Sequence, residues 1–190
     1  MLIYKFGGSS LGNAEGIRNI TDIVKEAPEN LVIVFSALGK TTNALERVVK
    51  YYMDGNLTKA GNELQTIRQF HQTIVNGLFG STDNEAGKEL NRVFRELGEF
   101  IKKAPSSGYD QTYDQIVSRG ELWSTRIVAF WLKNNEIPVR WVDIREYLKT
   151  DSIFRDAHVD WQVSGSLIHK EFNNPGSERL ITQGLSLIHI

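Results

Sequence analysis

The chain has 190 residues, of which 41% are hydrophobic and 24% are charged, which is enough apolar material for one compact domain. A formal net charge of -1 argues against nucleic acid as a partner, and the absence of cysteine excludes disulfides and thiolate metal sites. No apolar run approaches the roughly 18 residues of a membrane span. The lack of cysteine, with no basic leader before the first strand, predicts a cytoplasmic protein.

Strand and helix patterns alternate along the chain. The predicted strands cover residues 2–6, 31–35, 139–144 and 180–183. Helical spacing predicts a helix capped by Asn13, three helices between Leu45 and Phe100, and one long helix over about 111–134. This alternation predicts an α/β layered fold with a mostly parallel sheet. The helical block before the third strand is expected to be a subdomain or lid-like insertion, and the last strand is expected to form an exposed edge.

The stretch K-F-G-G-S-S places a lysine and two glycines at the end of the first strand. Lys5 is a point charge suited to phosphoryl oxygens. Gly7 and Gly8 let backbone N–H groups approach a phosphate, and Ser9 adds a donor. The motif predicts a phosphate site, and an ordinary glycine turn after a strand is the alternative.

A second polar stretch, S-A-L-G-K-T-T-N, follows the second strand and opens a helix. Its G-K-T lacks the glycine that a Walker A loop requires five residues before Gly39, which disfavours that motif. The polar residues that remain around the helix N-terminus are Ser36, Thr41, Thr42 and Asn43. A helix N-terminus suits an anionic group, and capping of the helix by one of the two threonines is the alternative.

The third stretch, S-R-G-E-L-W-S-T, lies on the long predicted helix, where Ser118, Glu121 and Thr125 fall on one face. Apolar neighbours surround Glu121, so its carboxylate needs a partner. We expect Glu121 to receive the ammonium group of a ligand, with a salt bridge or an exposed helix face as alternatives. The four histidines have no ligand spacing, so no metal site is predicted.

These three stretches, with L-K-T-D-S-I-F-R-D-A at 148–157 and L-I-T-Q-G at 180–184, stand in the order found in aspartokinases. The chain therefore resembles the aspartokinases of the amino acid kinase family over residues 1–184. The resemblance implies an αβα three-layer sandwich with a mostly parallel open sheet, incomplete here and with a helical insertion. It also implies transfer of the ATP γ-phosphoryl group, with Mg²⁺, to the side-chain carboxylate of L-aspartate. The product, 4-phospho-L-aspartate, begins lysine, threonine and methionine biosynthesis.

The resemblance also implies roles for individual residues. The implied ATP- and phosphate-binding residues are Lys5, Gly7, Gly8 and Ser9, and the implied aspartate-binding residues are Ser36, Thr42 and Glu121. Lys5 is the implied catalytic residue, because it contacts the transferring phosphoryl group. L-aspartate and ATP are the expected partners, and a homo-oligomer is expected for a full-length parent.

The sequence departs from the aspartokinase pattern after I-T-Q-G. Aspartokinases continue with a glycine-rich segment that carries much of the nucleotide site, and then with regulatory ACT domains. We expect residues 1–184 to form the N-terminal portion of the catalytic domain and 185–190 to be an atypical tail, and we expect this chain to be catalytically silent. The alternatives are another amino acid kinase with a different carboxylate substrate, or a non-catalytic fragment that binds a small ligand. The polar loop 150–156 either lines the site or closes a turn.

Overall fold

The computed structural model describes residues 1–173, 176 and 178–184, so the predicted tail at 185–190 lies outside the described residues. The strands are β1 (Leu2–Phe6), β2 (Leu31–Phe35), β3 (Val139–Trp141) and β4 (Arg179–Gln183). The helices are α1 (Ala14–Glu26), α2 (Thr41–Met53), α3 (Leu57–Phe79), α4 (Glu85–Ile101), α5 (Tyr109–Val117), α6 (Arg119–Asn134) and α7 (Trp161–Phe172), with a short 3-10 turn at Ile144–Glu146.

The four strands form one parallel sheet in the order β1-β2-β4-β3. The expectation that β4 forms an exposed edge is wrong, because β4 pairs with β2 on one side and with β3 on the other. Since all four strands point the same way, their carboxyl ends lie along one edge of the sheet, where ligands of open α/β folds bind.

The side chains of β2 divide between two apolar cores. Leu31, Ile33 and Phe35 belong to a large cluster that includes residues of α1 to α6. Val32 belongs to a smaller cluster that contains Phe172 of α7, and Val34 packs against that cluster. Because successive strand residues point to opposite faces, the sheet carries helices on both sides, which confirms the three-layer prediction. The helical block between β2 and β3 shares the large cluster with the sheet.

The helix predicted over 111–134 is broken at Ser118 into α5 and α6. The two hydrogen bonds that span the break run from the Ser118 N–H to the Asp114 carbonyl and from the Leu122 N–H to the Ser118 carbonyl, and both are stretched to 3.4 Å. Just beyond the break, a Cβ on Gly120 would lie 3.1 to 3.3 Å from the side chains of Ala37 in the loop after β2 and of Thr41 and Leu45 in α2. The N-terminus of α6 is therefore packed tightly against that region.

Two further differences concern the C-terminal third of the chain. β3 ends at Trp141, three residues before the predicted end, because Asp143 caps the 3-10 turn by accepting from the Arg145 N–H at 3.1 Å. The helix α7 was not predicted, since only Ser164 and Phe172 of its residues are buried and its apolar periodicity is weak.

His71 lies in the apolar interior. Its ring is fully buried against Phe94 and Trp123, and Nδ1 donates to the Ile67 carbonyl oxygen at 2.8 Å. Burial lowers the pKa of His71 to about 4, so the ring is neutral. Within the described residues, no group of three or more His, Asp or Glu could hold a metal ion, and no helix is long and apolar enough to cross a membrane.

Candidate functional site

The first two polar stretches meet at the carboxyl ends of β1 and β2. The Ser36 N–H donates to the Phe6 carbonyl at 3.1 Å, and the Gly39 N–H donates to the Gly8 carbonyl at 3.0 Å. These two backbone bonds join the loop after β1 to the loop after β2. The structure therefore brings the K-F-G-G-S-S and S-A-L-G-K-T-T-N stretches together at the edge where a ligand is expected.

The close approach of these loops requires glycine at position 8. A Cβ on Gly8 would lie 2.6 Å from the Gly39 carbonyl oxygen and 3.0 Å from that of Ala37, and both are backbone atoms. A Cβ on Gly7 meets nothing within 4 Å. Gly8, but not its neighbour, therefore determines how closely the two loops can pack.

We expect Gly8→Ala to lower the free energy of unfolding by about 1–3 kcal/mol, because the new methyl group must push the loops apart. The same variant should weaken the binding of inorganic phosphate. Gly7→Ala is the matched control and should change both quantities little. Urea unfolding and phosphate titration of the two variants measure this, and equal effects of Gly8→Ala and Gly7→Ala would contradict the packing argument.

The turn after β1 leaves three successive N–H groups unused. Three hydrogen bonds run from the N–H groups of residues 10–12 to the carbonyl oxygens of residues 7–9, at 3.1 to 3.3 Å. The N–H groups of Gly7, Gly8 and Ser9 donate to no acceptor in the described part of the chain. Successive free N–H groups in a turn form a cradle for an anion, so the geometry favours the predicted phosphate site.

The N-terminus of α2 is also open. Its N-cap residue, Lys40, makes no side-chain capping bond, and the Thr41 hydroxyl donates to the Leu38 carbonyl at 2.6 Å. The first turn of the helix contains no acidic residue, and Thr42 is exposed there. Because the structure shows no side-chain cap, the free N–H groups and the helix dipole remain available to a negatively charged group.

Ser124, which the sequence reasoning did not single out, links this loop to α6. Its side chain is fully buried, and its hydroxyl oxygen lies 2.8 Å from the Ser36 carbonyl oxygen and 2.9 Å from the Glu121 carbonyl oxygen. The hydroxyl thus holds the end of β2 against the turn of α6 that carries Glu121. The sequence signal was the small polar residue three positions after Glu121, on the same helix.

Glu121 is a half-buried carboxylate beside this edge of the sheet. Its Oε2 atom is buried and has no hydrogen-bond partner among the described residues, and no salt bridge to Glu121 forms there. Burial raises the pKa of Glu121 to about 7, although the nearby charge of Lys5 lowers it in part. Neither the salt-bridge alternative nor the exposed-face alternative fits this environment.

The remaining predicted residues divide between this edge and other places. Lys5 is exposed near the end of β1, opposite Val34 in the sheet, and its charge reaches Glu121. Thr125 does not share the site, since its buried hydroxyl accepts from the Trp141 indole N–H at 2.9 Å. Ser118 lines a separate cleft.

Of the two roles that the sequence left open for the loop 150–156, the structure shows the closing of a turn. The loop closes this turn through the antiparallel pair of Thr150 and Val159. It also docks on α5, where the Arg155 N–H donates to Asp114 at 3.1 Å, and Phe154 lines the separate cleft.

The structure is an α/β fold with a parallel sheet between helical layers, and its carboxyl edge carries two loops with free N–H groups and a half-buried carboxylate, an arrangement suited to a small charged ligand. The sequence matches the amino acid kinase family over residues 1–188, and the chain belongs to that family. Its relatives are aspartokinases: it is 28% identical over 184 residues to bifunctional aspartokinase/homoserine dehydrogenase 2 of Escherichia coli and 32% identical over 156 residues to aspartokinase 1, chloroplastic, of Arabidopsis thaliana. The alignments cover 96% and 78% of this chain.

The fold is that of a solved aspartokinase. The crystal structure of E. coli aspartokinase III in complex with aspartate and ADP (R-state) superposes with a TM-score of 0.83 at 25% identity, covering 97% of this chain and 40% of that one. The chain spans 22% of the length of the bifunctional E. coli relative and 26% of the Arabidopsis one.

Proposed function

We propose that this chain is the acceptor-binding part of an aspartate kinase, which transfers the ATP γ-phosphoryl group to the side-chain carboxylate of L-aspartate to give 4-phospho-L-aspartate. The observation that carries the proposal is Glu121, whose buried Oε2 atom has no partner in the described residues and which lies near Lys5 and two loops with free N–H groups. The match to aspartokinases, one of them solved with aspartate and ADP, supports aspartate as the acceptor.

A small zwitterion complements the charges of this edge. In the proposal, the ionised Glu121 carboxylate takes the aspartate ammonium group, which supplies the partner that its buried oxygen lacks. The free N–H groups at the start of α2, with Ser36 and Thr42, take a negatively charged end of the substrate. Ser124 keeps these two contacts at a fixed separation through its bonds to both segments.

Phosphoryl transfer to a carboxylate brings two anions together, so its rate depends on positioning and charge neutralisation. Lys5 supplies a positive charge to the transferring group, and the N–H groups of Gly7, Gly8 and Ser9 donate to its oxygens. Because Gly8 holds this turn against the loop of the acceptor site, the donors are in place before a substrate binds.

ATP and Mg²⁺ are the proposed co-substrate and metal. The described residues offer no carboxylate cluster that fits a dedicated metal site. This agrees with Mg²⁺ arriving on the nucleotide phosphates, as it commonly does in kinases, where it neutralises the negative charge of the nucleotide.

Calorimetric titration of the chain with L-aspartate and with succinate tests the proposed acceptor. Succinate keeps both carboxylates but lacks the ammonium group, so it loses the contact to Glu121. We expect aspartate to bind about ten- to hundredfold more tightly than succinate, the usual size of a charged hydrogen-bonded pair. Equal affinities, or binding of neither compound, would contradict aspartate as the ligand of this site.

A further inference from the structure

A second concave surface lies away from the site of Lys5 and Glu121. It is a cleft of about 950 Å³ between α4, α5, α6 and the segment that follows β3. The α6 residues that line it include Arg119 and Trp123, whereas Glu121 does not. The proposed function makes no use of this cleft.

Five cationic side chains line the cleft, and three of them have acidic partners. Arg92 pairs with Glu89 and Glu96, Arg126 pairs with Glu89, and Arg145 pairs with Asp143 at 2.5 Å. The other two cations are Arg119 and Lys149. Arg119 Nε donates to the Gln115 carbonyl at 3.0 Å, and Lys149 Nζ donates to the Arg145 carbonyl at 3.2 Å. Among the described residues, neither has a salt bridge to a carboxylate.

The acidic side chains of the cleft do not supply the missing partner. Glu96 is engaged by Arg92, and Asp143 is held by Arg145 and by the amide of Gln183 at 2.6 Å. Asp114 accepts from the Arg155 N–H at 3.1 Å, and Glu146, the fourth carboxylate that lines the cleft, forms no salt bridge to Arg119 or Lys149 among the described residues. The guanidinium of Arg119 therefore lines the cleft without a salt bridge among the described residues, and the neighbouring charge of Glu96 offsets its charge only in part.

Arg119 is held in an unfavourable place for a cation. Burial lowers the pKa of its guanidinium, the neighbouring charge of Glu96 opposes that change, and the like charge of Arg145 adds to it. A desolvated guanidinium beside another one is stabilised by an anion that offers two oxygens to its parallel N–H groups.

We propose that this cleft binds a small organic anion, whose phosphate or carboxylate group contacts Arg119 and Lys149 and whose apolar body lies against Phe100 and Phe154. The two half-buried aromatic rings line the same cleft as the cations. The cleft is far larger than a single phosphate ion requires, so an anion with an organic body fits it better. This site is independent of the acceptor site, and each can fail while the other stands.

Calorimetric titrations with phenyl phosphate, benzoate and inorganic phosphate test the proposal. We expect phenyl phosphate or benzoate to bind more tightly than inorganic phosphate, and the better of the two identifies the anionic group. Arg119→Gln should weaken that binding about ten- to hundredfold, because a charged hydrogen-bonded contact is lost. Lys149→Gln should weaken it in the same direction.

Arg95→Gln is the matched control, since Arg95 is an exposed arginine of α4 that does not line the cleft. It removes the same charge and should leave the affinity unchanged. Circular dichroism and thermal unfolding establish that each variant is folded. If Arg119→Gln does not fold, Lys149→Gln tests the site in its place. Absence of binding by all three anions at millimolar concentration, or equal affinity in Arg119→Gln, Lys149→Gln and Arg95→Gln, would overturn the proposal.

Discussion

Glu121→Gln is expected to stabilise the chain at alkaline pH and at the same time to abolish most of its affinity for aspartate. Burial raises the pKa of Glu121 to about 7, so the folded state keeps this proton to a higher pH than the unfolded state does. The contribution of protonated Glu121 to the free energy of unfolding is therefore fully present below the pKa that this carboxyl has in the unfolded chain. It is lost as the pH rises through about 7. At alkaline pH, the ionised Glu121 lowers the free energy of unfolding by up to about 3 kcal/mol, because each unit of pKa shift corresponds to about 1.4 kcal/mol.

Thermal unfolding at about pH 8 and about pH 5 measures the stability effect. The neutral, isosteric glutamine should raise the melting temperature at the higher pH and change it little at the lower one. Glu26→Gln, an exposed carboxylate of α1, is the control and should show no such pH dependence. A Glu121→Gln variant that is less stable at both pH values would instead indicate a structural role.

The same variant should bind aspartate about ten- to hundredfold more weakly, because it loses a charged contact to the ammonium group. In the wild-type chain, aspartate affinity should rise with pH through about 7, as Glu121 ionises. That rise should be absent in Glu121→Gln. Opposite effects on stability and on affinity distinguish a binding residue from a packing residue.

Lys5→Ala is the second variant with a large expected effect. The suitable probe is L-2-amino-5-phosphonopentanoate, a stable compound that carries both an amino acid head and a phosphonate. We expect it to bind more tightly than aspartate, because the phosphonate adds contacts to Lys5 and to the N–H groups of residues 7–9. Lys5→Ala should lower its affinity about ten- to hundredfold, while the fold is kept because the side chain is exposed.

Lys25→Ala, which removes an exposed lysine of α1, is the matched control and should leave the affinity unchanged. Aspartate, which lacks the phosphonate, should lose much less affinity in Lys5→Ala than the probe does. If both compounds lose the same factor, Lys5 acts on Glu121 or on the fold rather than on a phosphoryl group.

Much of this fold follows from local patterns. The run L-V-I-V-F predicts a strand buried on both faces, and β2 indeed divides its side chains between two cores. Asn13 predicts the start of α1, and its side chain accepts from the Gly16 N–H at 2.8 Å. These elements are predictable because a strand period or a capping residue acts over a few neighbouring positions.

The errors arise where distant parts of the chain decide the outcome. The break at Ser118 coincides with the packing of Gly120 against residues that lie far away in sequence. The position of β4 in the sheet depends on its pairing with β3, which no local pattern encodes.

In the candidate site too, some features follow from local sequence and others depend on distant contacts. Lys5, the glycines and Glu121 can be recognised from residue type and spacing. The bond from Ser124 to the Ser36 carbonyl joins positions 88 residues apart, so its role appears only in the folded chain. The missing partner of Glu121 is likewise a three-dimensional property, since many side chains could have reached it.

Amide chemical-shift mapping shows whether the three separate stretches form one aspartate site, as we propose. The ¹⁵N-labelled chain is titrated with L-aspartate, and the shifts of its backbone N–H groups are followed. We expect perturbations confined to residues 7–9, 36–43 and the turn of α6 around Glu121. Perturbations confined to the cleft residues of α4, α5 and the segment 143–154, or no perturbation at saturating aspartate, would contradict this site.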